Sequence, residues 1–144
     1  NLEDPRLAMD HLTTNQVTLC PSVFIARSLA KNGNNVYQYY FTRRREGSEK
    51  ILSYHGAEIP YVFNTHDEWL PTNEDDIELT KAMMEYWTEF AKKGTPNSIN
   101  NPTWKEFGIE ENYLILDQTL ENSTKLENEF CEIMISEMVQ RASR

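Results

Sequence analysis

The chain has 144 residues, the length of one domain and enough to bury roughly 70% of its unfolded surface around a single core. Apolar residues at 39% and charged residues at 26% exclude a wholly disordered chain, and no run approaches the roughly 18 apolar residues of a membrane span. A net charge of −9 excludes nucleic acid as the main partner, because neutralising phosphates takes a basic face and only Arg43, Arg44 and Arg45 cluster.

The opening "NLEDPRLAMD" has neither an initiator Met nor the charged-then-apolar layout of a signal peptide, so the chain reads as mature or excised material. Leu2 to Leu12 is expected as a short helix, with Asp4 as its cap and Pro5 in the first turn, where the missing N–H costs nothing. A second helix is expected over Thr18 to Lys31, with Leu19, Val23, Phe24 and Ala30 near helical spacing and Asn32-Gly33 as its stop. Val36 to Phe41, "VYQYYF", is β-branched and aromatic and reads as a strand buried on both faces. The arginine triplet that follows is read as a solvated turn.

After a short apolar segment at Ile59 to Phe63 comes the clearest helix. Thr72 with Asp75 resembles a capping box, Leu79, Met83, Tyr86, Trp87 and Phe90 form one stripe, and Gly94 closes it. The Pro, Asn and Gly content of Thr95 to Asn112 predicts a loop, "NYLILD" a short strand, and Leu126 to Val139 a last helix with Leu126, Phe130, Ile133, Met134 and Met138 inward. One strong strand among four helices is too little sheet for a self-sufficient α/β domain, since an apolar strand needs paired neighbours.

Three histidines could carry protons near neutral pH. His11, in or after the first helix, is expected at the surface or as a cap, and His66, in "NTHDEW", in a solvated loop without a second metal ligand at workable spacing. His55 differs, because Gly56 permits a sharp backbone course and the apolar segment behind it can anchor a loop. On spacing alone it remains open whether the ring is structural or functional.

"YHGAEIPYVF", then "MMEYWTEFAKKGTPN", then "PTW" resembles the type B carboxylesterases, the cholinesterase and carboxylesterase branch of the α/β-hydrolase fold. The ordered match runs from about Thr18 to Cys131. It implies an α/β fold of which residues 1–144 are the C-terminal segment of one catalytic domain, with a few strands of the central sheet and packing helices. The implied activity is that of a serine carboxylic-ester hydrolase, class EC 3.1.1, acting on a small ester and needing no cofactor or metal.

Residue by residue, the resemblance places His55 at the catalytic histidine, the base that takes the serine proton and returns it to the leaving alcohol. No Gly-x-Ser-x-Gly elbow occurs here, and chain order in this superfamily is Ser, acid, His. The nucleophile and acid are therefore expected on a missing N-terminal portion or another chain, which becomes the implied partner, and this segment alone is expected to be inactive. Glu58 follows the histidine and so is read as a neighbour that holds the loop with Gly56, while Ile51 and Tyr54 are candidate pocket lining. The aromatic that cholinesterases place several residues before the histidine is not visible at Gly47 and Ser48, which points to a general ester pocket.

Taken as residues, Cys20 and Cys131 could be two buried free thiols, which would allow a cytoplasmic protein. The resemblance implies a disulfide between them, and with it secretion or another export route. "ENSTK" offers Asn122 as a possible N-glycosylation site on a eukaryotic secretory route. A second reading from a different class is a catalytically dead, neuroligin-like adhesion module that keeps the fold and the histidine.

Overall fold

The computed structural model describes residues 4–48 and 52–142. The chain begins with helix α1 (Pro5–Thr14), whose cap Asp4 accepts the Arg6 N–H, and it continues without a break through a π-helical turn (Asn15–Leu19) into α2 (Cys20–Lys31). The two predicted helices are therefore one continuous helical rod, and the widened turn lets Asn15 and Leu19 both face inward.

Three strands form the sheet in the order β1 (Gln38–Phe41), β2 (Asn112–Leu116) and β3 (Glu121–Thr124). β1 and β2 are parallel, with Gln38 opposite Tyr113, and β2 and β3 are antiparallel. Helix α3 (Ile59–Phe63) and the long α4 (Glu74–Lys93) fill the crossover from β1 towards β2, and α5 (Asn128–Ala142) closes the chain. β1 has helices over both faces, as expected, but full burial is corrected: as an edge strand it is only half-buried, with Tyr39 at the surface. β3, "ENST", is a polar strand that the apolar pattern does not announce.

The sheet is covered on both sides, as a two-residue period along β1 requires. On one side Phe41, Leu114 and Leu116 pack with Tyr61 of α3 and Leu79, Met83 and Tyr86 of α4, and Trp104 from the following loop completes the cluster. On the other side Tyr40 meets Leu19, Cys20 and Val23 of the first rod and Phe130, Cys131 and Met134 of α5. Ile133, expected inward, is 64% exposed, and Ile135 takes its place against this second cluster.

The start of α4 lies one residue later than the predicted box. Asn73 is the cap, its side chain accepts the Asp76 N–H, and the Asp76 carboxylate accepts the Asn73 N–H in return. Gly94 ends the helix in the left-handed conformation, φ 72°, as expected.

Candidate active site

His55 lies in a tight turn between β1 and α3. The Ala57 N–H donates to the Tyr54 carbonyl at 2.9 Å and the Ile59 N–H to the Gly56 carbonyl at 3.1 Å, so the backbone doubles back around the histidine. Gly56 makes that course possible: its φ is +86°, and a Cβ there would meet Ile59 Cδ1 at 3.4 Å. The imidazole itself is solvent-exposed, and among the described residues no carboxylate bonds to it.

The ring borders a cleft of about 490 Å³ whose wall includes Ser22, Ile25 and Leu29 of α2, Tyr54, Gly56 and Glu58. Consecutive residues from Val36 to Phe41 also line it, so the cleft follows the edge of β1 opposite β2. Among the described residues nothing pairs with that edge. Among the described residues β1 thus presents one unpaired edge with an exposed imidazole beside it.

Glu58 occupies the cap position of α3 without a side-chain bond to the helix, and it is half-buried. Its charge reaches Tyr39 across the cleft, where burial first and the Glu58 carboxylate second push the phenol above its ordinary pKa. Tyr54 is half-buried and edge-on to Trp69, with ring centroids 5.8 Å apart. Ile51, the other expected lining residue, lies outside the described residues.

Groups that the sequence pattern did not single out hold this loop. The reading of Arg43 to Arg45 as a solvated turn is corrected, because only Arg44 faces solvent. Arg43 Nε pairs with Asp76 Oδ1 at 2.7 Å and its Nη2 donates to Asn73 Oδ1 at 3.0 Å. Arg45 fastens the 67–72 loop through the Asp67 carboxylate at 3.2 Å, Thr72 Oγ1 at 2.9 Å and the Leu70 and Pro71 carbonyls. Three identical residues in a row show no alternation in the sequence; the fold imposes one, with Arg43 and Arg45 inward and Arg44 outward.

His66 is likewise not in a solvated position: it is half-buried, its Nε2 is 2.7 Å from Thr80 Oγ1, and its ring packs edge-on against Tyr61. Burial, and then the nearby Arg45 charge, hold its pKa below the ordinary value. His11 is at the surface as expected, 3.3 Å from the Glu127 carboxylate. Among the described residues no cluster of His, Cys, Asp and Glu could hold a metal ion, and no helix is long and apolar enough to cross a membrane.

Away from the cleft, Cys20 and Cys131 are joined in a disulfide with Cα atoms 5.0 Å apart, linking α2 to α5 across 111 residues of sequence. Disulfides persist in oxidising compartments, so the bridge is compatible with an extracellular protein. Asn122 is engaged on both sides of its amide: Oδ1 accepts the Lys105 N–H at 2.9 Å and Nδ2, the atom a glycan would join, donates to the Thr103 carbonyl at 2.8 Å.

Residues 1–134 match the sequence model of the carboxylesterase family. The chain belongs to the carboxylesterase family. Among its relatives, carboxylesterase 1E of Rattus norvegicus is 34% identical over 111 residues, 74% of this chain and 20% of the relative. The medium-chain fatty acyl-CoA hydrolase precursor of Anas platyrhynchos is 32% identical over 110 residues, covering 73% of this chain and 20% of the relative. The chain thus spans about a fifth of the length of these relatives. PNB esterase shares the fold with a TM-score of 0.74 at 24% identity, over 86% of this chain and 26% of that structure. This carboxylesterase-family chain is accordingly a part of the α/β-hydrolase fold, with three strands of the sheet and the helices that cover them.

Proposed function

We propose that this chain is the C-terminal segment of a serine carboxylic-ester hydrolase and supplies its general base, His55. The observation that carries the reading is the position of His55: an exposed ring on a glycine-shaped turn, beside a cleft along an unpaired strand edge, in a carboxylesterase-family chain. The N-terminal portion of the same hydrolase is the partner. It fills the open edge of β1 and brings a serine to one imidazole nitrogen and a carboxylate to the other. His55 then takes the serine proton as the hydroxyl attacks the ester carbonyl and returns it to the departing alcohol; it next takes a proton from the water that attacks the acyl-enzyme and returns it to the serine oxygen as the acid leaves.

Glu58 and Gly56 keep the turn in shape, and the half-buried Tyr54 and the exposed Tyr39 offer apolar rings to a small ester in the cleft. The Cys20–Cys131 bridge supports an exported protein. A fluorophosphonate, which reacts covalently with a base-activated serine, tests the reading on the intact polypeptide. Stoichiometric labelling that is lost in the His55→Ala form is expected. An intact polypeptide that takes up no label is the behaviour of a dead adhesion module and would overturn the assignment.

A further inference from the structure

His55 itself forms no side-chain bond with the described residues, so its position is set by the two flanks of the loop that carries it. Before the histidine, Ser53 Oγ donates to the Arg43 carbonyl at 2.9 Å, and the Arg43 N–H donates to the Leu116 carbonyl at the end of β2. The guanidinium of that same arginine reaches Asp76 Oδ1 at 2.7 Å. Beyond the histidine, α3 is only five residues long and is held by Tyr61, which is 1% exposed and donates its hydroxyl to Asp76 Oδ1, also at 2.7 Å. The second carboxylate oxygen, Oδ2, accepts the Asn73 N–H at 3.0 Å.

Both flanks of the histidine loop therefore converge on one oxygen of one fully buried carboxylate, in the first turn of a 20-residue helix. We propose that Asp76 is a positioning residue for His55, fixing the upstream flank through Arg43 and the downstream flank through Tyr61. The proposal rests on the reading of His55 as the general base. Its physical reason is that proton transfer demands sub-ångström placement, and a misplacement of about 1 Å can cost about a hundredfold in rate. A charged acceptor for two buried donors supplies stiffness that a five-residue helix cannot generate alone.

The test uses the intact hydrolase with Tyr61→Phe, Asp76→Asn, His55→Ala and a control, Tyr86→Phe. The control removes another buried tyrosine hydrogen bond, to the Pro102 carbonyl at 2.6 Å, away from the histidine loop. Hydrolysis of a nitrophenyl ester is measured per serine titrated with fluorophosphonate, or per folded protein for His55→Ala. The proposal predicts that kcat falls about tenfold in Tyr61→Phe and at least as far in Asp76→Asn. KM stays within about twofold, and Tyr86→Phe keeps the parent kcat. Parent kcat per titrated site in Tyr61→Phe would overturn the proposal, and so would an equal loss in Tyr86→Phe. That holds if Asp76→Asn fails to fold, because Tyr61→Phe leaves the Arg43–Asp76 pair in place. A His55→Ala form as fast as the parent would remove the underlying reading instead, whereas loss there with no loss in Tyr61→Phe refutes this proposal alone.

Discussion

Arg43 and Asp76, 33 residues apart in sequence, pair at 2.7 Å with side chains only 9% and 0% exposed. Removing one member of a buried pair leaves the other charge uncompensated, at a cost of about 3 to 5 kcal/mol. Arg43→Ala should therefore lower the urea midpoint by the equivalent of that range. Lys81→Ala, which breaks an exposed pair with Glu78, should cost no more than about 1 kcal/mol. Equal effects of the two changes would show that burial does not set the value of the pair.

Stability should fall in two steps on acidification. Burial tends to raise the Asp76 pKa, but hydrogen bonds from Arg43, Asn73 and Tyr61 outweigh it and hold the carboxyl below its ordinary 3.8. Its contribution is complete above that value and is lost as pH falls through the lower folded one. His66, held below 6.5 by burial and by Arg45, stays neutral in the fold while the unfolded chain takes up a proton. Stability therefore declines as pH drops from about 6.5 towards the folded pKa of the ring. His66→Gln should flatten that upper step and leave the carboxylate step; a urea midpoint series against pH reads both.

Gly56 and Gly33 separate strain from function. Both have positive φ, +86° and +79°, but a Cβ at Gly33 meets nothing within 4 Å, whereas one at Gly56 meets Ile59. Alanine at either position should cost about 1 to 2 kcal/mol of stability. In the intact polypeptide, if His55 is the general base, only Gly56→Ala should also lower the kcat of ester hydrolysis, by about tenfold, because it strains the histidine turn. An unchanged kcat in Gly56→Ala would separate the shape of that turn from the chemistry.

The Cys20–Cys131 bridge should give an intact mass about two units below that of the reduced chain. It encloses 111 residues of sequence separation, so reduction should lower stability by at most about 4 to 5 kcal/mol. Two alkylatable thiols in the unreduced, denatured protein would contradict the pairing.

Helical elements were legible in the sequence because capping residues and apolar period coincide, as from Asn73 to Gly94, although the cap itself lay one residue past the expected Thr72. β3 was not legible, because its residues are polar and it is ordered by pairing with β2 and by the Asn122 amide. The arginines and His66 looked solvated because their partners, Asp76, Asp67 and Thr80, lie 14 to 33 residues away in sequence. The reading of His55 as a general base rests on its motif context alone, since spacing leaves a lone histidine ambiguous. The edge position of β1 was half-legible: the strand's composition called for two neighbours, and the described residues supply one.

Hydrolysis of a short-chain nitrophenyl ester by the intact polypeptide and by its His55→Ala form tests the central claim most directly. Loss of the general base should remove most of the rate, on the order of a thousandfold, with the fold retained. A His55→Ala protein that is folded and hydrolyses the ester at the parent rate would contradict the account.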